Sequence, residues 1–307
     1  MEVLLCVALI LSQIGSSTKQ YAMKKCGAIA KGESNSIRIN LIRGAICLAV
    51  SILVWVFTDA TVSDFFGVLI SVLAGIGTSL NLFTWILSAQ KISLTLLEGV
   101  CTVGVLVVPL VLAPYLYGGE SVSLLQWTGS ALVILSLFLF SQKEEKKSEK
   151  ASFFGSMSLI FFCAFGVTLA SVAKKVYTYH VVAKGMGSIG FFTMISFLTV
   201  FLVFAGLLPF YQRRERRFAL AFGQEPQPLT LRRIWPYILI AAFSLYVCEI
   251  FATVASDLPA AIYYPATKAL GILGCFVLDI AVFREKITCK KLLGLATLLT
   301  AVVLISV

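Results

Sequence analysis

Long apolar runs alternate with short polar or charged stretches along the whole chain. A helix that spans the hydrocarbon core of a bilayer needs about 20 mostly apolar residues. Ten segments of this kind follow one another, at residues 3–23, 39–57, 65–90, 92–116, 124–140, 153–176, 189–210, 235–256, 260–282 and 292–307. The pattern predicts an all-α integral membrane protein with ten transmembrane helices, which we expect in the plasma membrane.

The composition agrees with a membrane protein and narrows the chemistry. Hydrophobic residues make up 59% of the chain and charged residues 13%, and the mean hydropathy is +0.95, far above the usual value for a soluble domain. The eight cysteines contain no Cys-x-x-Cys pair, and His180 is the only histidine, so we predict no disulfide framework, metal site or cofactor. Sequence motifs of nucleotide hydrolysis, serine hydrolases and zinc proteases are absent, so we expect no enzymatic activity.

The basic residues are distributed unevenly between alternate connections. Of the 25 Lys and Arg residues, 19 follow odd-numbered segments, and three lie at the end of or after an even-numbered one. Because basic residues accumulate in cytoplasmic loops, the count predicts that both chain ends face outward. The longest connections, 141–151 and 211–233, are too short for a catalytic module. The arginine run at 213–217 is interpreted as a membrane-surface anchor, and no nucleic-acid partner is expected.

Two short motifs occur once in each half of the chain and in the same order. One is Ser-x-x-Lys late in a segment, and the other is a glutamate in a short turn with a glycine nine residues later. Their positions are Ser16/Lys19 and Ser171/Lys174 for the first, and Glu120/Gly129 and Glu285/Gly294 for the second. Five segments is an odd number, so the second half must enter the membrane from the opposite side. We therefore predict two inverted five-helix repeats, 1–142 and 153–307, joined by a charged linker at 143–152.

The chain resembles the drug/metabolite transporter superfamily, in particular its ten-helix branch of two EamA-type repeats. The likeness is carried by the Gly119-Glu120 turn with Gly129, by the stretch 258–265 (LPAAIYYP), and by 283–288 (FREKIT) followed by Gly294. It covers nearly the whole chain and implies transport of a small molecule; family substrates include amino acids, drugs, sugars, nucleotide sugars and purines. The family usually has cytoplasmic ends, which differs from the charge count, so import and export both stay open.

Ionisable side chains inside hydrocarbon cost at least about 2.5–3.5 kcal/mol each, so those within the segments are candidates for function. The deepest are Glu98, Glu249 and Lys268. Lys268 is a candidate to attract an anionic group of the substrate, whereas Glu98 or Glu249 could bind a cation or carry a coupling proton. The alternative is a structural salt bridge between the halves, which neutralises both charges without contacting substrate.

Five further residues could contribute to a substrate site. Lys19 and Lys174 lie nearer the segment ends, where they could instead extend to the membrane interface. Tyr263, Tyr264 and Asn81 offer aromatic faces and hydrogen bonds to a cavity, although membrane aromatics more often serve packing. We include all five among the candidates for binding the substrate or a coupling ion.

Prolines and small residues also indicate a site. Pro109 and Pro265 occur in the corresponding segments 4 and 9 and are predicted helix breaks, which mark binding sites in many transporters. The alternative is that they are ordinary membrane-helix prolines. Ser71, Gly75 and Ser79 form a small-xxx-small stripe, which allows a neighbouring helix to approach closely.

These features together predict a secondary active transporter of small metabolites or drugs that works by alternating access. A flippase for a lipid-linked carrier and a non-transporting membrane scaffold remain as alternatives. The expected partners are the lipid bilayer, a small-molecule substrate and a coupling proton or ion, although substrate exchange is equally compatible. Substrate identity, coupling and oligomeric state stay open.

Overall fold

The part of the chain that the structure describes is all-α. The computed structural model describes residues 2–30, 32–58, 61–89, 94–116, 123–140, 150–222, 231–258, 260–284 and 288–306. These ranges contain ten α-helices and no strand. The helices are α1 (Glu2–Ile29), α2 (Glu33–Thr58), α3 (Phe65–Ala89), α4 (Leu94–Leu116), α5 (Leu124–Phe140), α6 (Lys150–Tyr177), α7 (Ile189–Phe222), α8 (Leu231–Ala255), α9 (Ala260–Ala281) and α10 (Cys289–Ser306). A π-helical turn, Thr178–Val182, extends α6.

Each of the ten helices overlaps one of the apolar segments predicted from the sequence, so the number and order of helices are confirmed for the described residues. Helix α5 has the predicted ends, and α3, α4 and α9 agree within two residues. Helices α1 and α2 are longer than predicted, because the apolar run measures only the stretch suited to hydrocarbon. Backbone hydrogen bonding continues through the flanking polar residues.

The prediction of a long connection at 211–233 is wrong over much of its length. Helix α7 continues to Phe222, and α8 already begins at Leu231. Arginine and glutamate are good helix formers, so the charged run extends α7 instead of ending it. The predicted linker at 143–152 lies mostly outside the described residues, and α6 begins at Lys150. Gly119, Glu120, Pro259 and Glu285 lie outside them as well.

Five helices within the described ranges are long and apolar enough to cross a membrane. They are Glu33–Thr58, Phe65–Ala89, Ser158–Val182, Ile189–Glu215 and Leu231–Ala255. Large apolar side chains are exposed on the outer surface, among them Phe57 and Phe65, which are each more than 80% exposed. Water would make such a surface prone to association, whereas lipid tails cover it. The chain is an integral membrane protein.

Helix packing joins early helices to late ones. The most extensive contacts pair α3 with α6 and α1 with α8, and α2, α4 and α5 pack on α7, α9 and α10 respectively. Glycines allow the closest approaches: a Cβ atom on Gly166 of α6 would lie 2.6 Å from the backbone nitrogen of Asn81 in α3. At Gly75, from the predicted small-residue stripe, a Cβ atom would lie 2.6 Å from the carbonyl oxygen of Ser196 in α7. The predicted close helix approach is confirmed at Gly75.

Candidate functional site

A polar cavity lies among α1, α3, α4, α6, α8 and α9. Its volume is about 90 Å³, several times the roughly 10–15 Å³ that a single water molecule needs. All eight side chains predicted as candidates for substrate or ion binding line its wall: Lys19, Asn81, Glu98, Lys174, Glu249, Tyr263, Tyr264 and Lys268. Residues that are up to 249 positions apart in the sequence are thereby brought to one space.

The first ion pair of the cavity wall joins α4 to α9. The Lys268 ammonium donates to Oε1 of Glu98 over 3.0 Å, and the two side chains are only 7% and 8% exposed. The other carboxylate oxygen of Glu98 accepts a hydrogen bond from the amide nitrogen of Gln20 in α1, at 3.2 Å. Gly271 provides room for this carboxylate, because a Cβ atom there would lie 3.2 Å from Oε1. Glu98 therefore ties three helices together.

The second ion pair joins α6 to α8. Lys174 Nζ donates to Oε2 of Glu249 over 2.6 Å, and the Glu249 side chain is 22% exposed. Both residues also line a smaller cavity of about 10 Å³ on the side of α7. The Lys174–Glu249 pair thus forms part of the partition between the two cavities. Lys174 does not extend to the membrane interface, which the sequence had left as an alternative.

Polar anchors near the helix ends hold the charged helices in place. The Asp279 carboxylate of α9 accepts hydrogen bonds from the backbone N–H groups of Leu94 and Thr95, at 3.4 and 2.8 Å, and from the Thr95 hydroxyl at 2.6 Å. A carboxylate is favourable at a helix N-terminus, so Asp279 caps α4 one turn before Glu98. At the other anchor, Lys175 Nζ donates to the carbonyl oxygens of Ser256 and Leu258, at 2.7 and 2.6 Å, just beyond the end of α8.

Lys19 differs from the other two lysines of the cavity. It is half-buried on α1, and among the described residues no carboxylate lies within ion-pair distance and no hydrogen-bond partner reaches its ammonium group. The charged side chains that line the cavity are three lysines and two glutamates. With each group in its usual ionised form, the described wall carries one net positive charge.

The uncharged candidates also pack around the cavity. Tyr263 and Tyr264 are buried, with ring centroids 5.1 Å apart at 67°. The Tyr264 hydroxyl donates to the carbonyl oxygen of Ser171 in α6 at 3.5 Å. Asn81 of α3 donates its amide N–H to the carbonyl oxygen of Cys163 in α6 at 3.4 Å. These contacts orient the polar groups of α3, α6 and α9 relative to one another.

Pro109 and Pro265 lie inside α4 and α9, and the helix assignment runs through both positions. The predicted breaks therefore have no counterpart in the helix boundaries. Proline removes one backbone N–H donor, yet the turns on either side keep the helix continuous. Because α4 and α9 continue through the prolines, the helix ends do not support the expectation that Pro109 and Pro265 mark the binding site.

Three polar side chains of α1 were missed as members of the site. Gln13, Ser16 and Gln20 line the cavity with Lys19. Their spacing of three and four residues places them on one helical face. A polar face within an otherwise apolar segment was visible in the sequence, and it could have identified all three.

No family model matches the chain, and no curated protein matches it in sequence. The likeness to EamA-type transporters rests on the short motifs themselves, and function has to be inferred from the cavity and its charges.

Proposed function

We propose that this protein is a secondary active transporter of a small polar metabolite, built from ten membrane-spanning helices in two inverted five-helix repeats. The observation that carries this proposal is the polar cavity with five charged side chains among otherwise apolar helices. Charges are expensive in such surroundings and are kept where they serve ion or substrate pathways. A structural scaffold needs neither the cavity nor a net charge within it.

Helix lengths are compatible with ten spans. The shortest helices, α5 and α10, contain 17 and 18 residues, at the lower limit of about 17–25 for a transmembrane helix. They pack against each other, so each shields part of the other from lipid. The remaining helices contain at least 22 residues.

The packing pairs support two equivalent halves. Exchanging the two halves replaces α1–α5 by α6–α10 in order, and α6–α10 by α1–α5. This exchange turns the α1–α8 contact into the α6–α3 contact, and the α4–α6 contact into the α9–α1 contact. The pairs α2–α7, α4–α9 and α5–α10 are each converted into themselves. A two-fold axis between two repeats produces this exchange. The cavity wall uses α1, α3 and α4 together with their equivalents α6, α8 and α9, as expected for a site on that axis.

The two ion pairs suggest how access could alternate. Rocking of one repeat against the other has to strain the Glu98–Lys268 contact between α4 and α9. Opening the Lys174–Glu249 pair would join the central cavity to the smaller one beside α7. A proton on either glutamate, or a charged group of the substrate, would weaken the corresponding pair and favour movement. Proton coupling and substrate exchange both use these groups.

Alternating access can be tested with a native reporter, because Cys248 lines the cavity. We expect a membrane-impermeant methanethiosulfonate to modify Cys248 from each side of a proteoliposome membrane, in a variant whose other seven cysteines are replaced by alanine. The physical reason is that a transporter exposes its central site to the two sides in turn. Mass spectrometry of the intact protein measures the modification.

The matched control is the same variant with Cys248→Ala, which should stay unmodified. Modification from one side only, under all ligand conditions, would contradict alternating access and favour a scaffold. Modification from both sides that is blocked by a lipid-linked sugar, and not by soluble metabolites, would favour a flippase.

A further inference from the structure

The central cavity contains one cation more than its carboxylates neutralise. Glu98 is held by Lys268 at 3.0 Å and Glu249 by Lys174 at 2.6 Å. Lys19 lines the same cavity and has neither an ion pair nor a hydrogen bond within the described residues. An ammonium group among membrane helices is unfavourable unless a counter-charge or water solvates it. The geometry therefore leaves a place for a negative group beside Lys19.

The two copies of the Ser-x-x-Lys motif differ in the same way. Lys174, the second copy, has the carboxylate of Glu249 as its partner. Lys19, the first copy, lines the cavity with no carboxylate of the described chain within ion-pair distance. Glu249, on which the charge of Lys19 also acts, is already held by Lys174. An anion bound to Lys19 would give both lysines the same kind of partner. Comparison of the two lysines thus indicates that the group to be added beside Lys19 is an anion.

We propose that the cavity binds a small organic anion, whose carboxylate or phosphate group is held by Lys19. This inference rests on the proposed transport function and names the substrate class for that site. The anion-binding role moves from Lys268, where the sequence alone placed it, to Lys19. Taking Lys268 for the substrate would leave the buried carboxylate of Glu98 without its partner, which is costly.

The opposite charge fits the cavity poorly. A cationic substrate would add to a wall that already has one excess positive charge, and it would have to displace a lysine from Glu98 or Glu249. The cavity of about 90 Å³ has room for several water molecules, which a bound ligand would displace. Ser16 on α1 and Ser171 on α6 line the same space, and their hydroxyls can bond to polar groups of the ligand.

The test compares anions with their neutral counterparts on the purified full-length protein. Lactate is compared with lactamide, and glycerol 3-phosphate with glycerol, within a wider panel of small carboxylates and phosphate monoesters; choline serves as the cation. We expect at least one anion to raise the melting temperature while its neutral counterpart does not, since a ligand of the folded state stabilises it. The response to carboxylates and phosphates separates the two kinds of oxyanion.

Variants at Lys19 assign the effect. Lys19→Gln should weaken anion binding by about tenfold or more, because a charge-assisted hydrogen bond is lost, whereas Lys19→Arg should retain it within a few-fold. Lys184, an exposed turn residue outside the cavity, supplies the matched control. Lys184→Gln should bind as the wild type does.

Three outcomes would overturn this inference: no anion stabilises the protein, a neutral or cationic probe stabilises it better, or Lys19→Gln binds the anion unchanged. Phosphatidylglycerol is added as a separate probe, because its headgroup also carries a phosphate. Stabilisation by that lipid alone, lost in Lys19→Gln, would contradict a soluble ligand. If anion binding through Lys19 is not found but Cys248 is modified from both sides, the transport proposal stays intact. Anion binding through Lys19 with one-sided modification of Cys248 would instead contradict transport.

Discussion

Two ion pairs of the same chemical type line the central cavity, yet their surroundings differ. Glu98 and Lys268 are each less than one-tenth exposed, and Glu98 also accepts a hydrogen bond from Gln20. In the other pair, the Glu249 side chain is 22% exposed and Lys174 and Glu249 line two cavities. Both pairs border the central cavity, but the first is tied to three helices, whereas the second also borders the smaller cavity beside α7.

This difference indicates separate roles for the two pairs. A pair in which both side chains are less than one-tenth exposed depends strongly on its own contact, because little water can replace the lost interaction. A charge beside a cavity can be solvated when its partner leaves, so that pair can open at lower cost. The Glu98–Lys268 pair is therefore expected to resist separation of α4 and α9 until the repeats rock, and the Lys174–Glu249 pair to open at lower cost.

The largest effect is expected from Glu98→Gln. The substitution keeps the size of the side chain but leaves the buried ammonium of Lys268 without a counter-charge. We expect a loss of about 3–5 kcal/mol in the free energy of unfolding, the usual cost of breaking a buried pair. Denaturant unfolding in detergent micelles measures it.

The double variant Glu98→Gln/Lys268→Met provides the control. Methionine removes the unpaired charge and fills a similar apolar volume, so most of the lost stability should return. If the single variant costs less than about 1 kcal/mol, the pair is not the enclosed contact that its burial indicates.

A smaller effect is expected from Glu249→Gln. Glu249 is 22% exposed, against 8% for Glu98, so solvent already weakens this pair and the loss of stability should be about 1–2 kcal/mol. The same substitution should speed modification of Cys248 by a thiol reagent, because the partition between the cavities loses its ion pair. A loss equal to that of Glu98→Gln, with unchanged modification of Cys248, would remove the distinction between the pairs.

The smallest effect is expected from Gly271→Ala, which presses on the enclosed pair without changing a charge. The added methyl group would lie 3.2 Å from the carboxylate oxygen of Glu98 and from Oε1 of Gln13. We expect a loss of about 1 kcal/mol in the free energy of unfolding.

Gly206→Ala in α7 is the matched control, since a Cβ atom there has no neighbour within 4 Å. Removing a helical glycine without a clash should raise stability by about 0.5–1 kcal/mol. If both substitutions stabilise the protein equally, the fit of Gly271 around Glu98 is looser than its geometry indicates.

Sequence reasoning located the helices well and their ends less well. The apolar runs predicted all ten, because an apolar segment of about 20 residues has few alternatives to a helix in a membrane protein. The ends of α2 and α7 were missed, since Glu33 and the residues after Tyr211 continue a helix in polar surroundings. Hydropathy measures the apolar length of a helix and not where its hydrogen bonds stop.

The candidate site shows the same division. The free-energy cost of placing ionisable side chains in hydrocarbon identified Glu98, Glu249 and Lys268 as candidates. The structure brings them to one cavity. Gln13 and Gln20 were overlooked, because single amides within an apolar run attract less notice than charges. The spacing of these amides with Ser16 contained the signal.

The sequence by itself determined that this is a membrane protein, where the ten helices of the described residues lie, and which charged side chains lie among them. Only the tertiary structure decided that Glu98 pairs with Lys268, that Glu249 pairs with Lys174, and that no carboxylate of the described residues lies within ion-pair distance of Lys19. The physical reason is that hydropathy and periodicity act along one helix, whereas ion pairs form over about 3 Å between different helices. Which helices become neighbours depends on the fit of their small residues and side chains across the whole bundle.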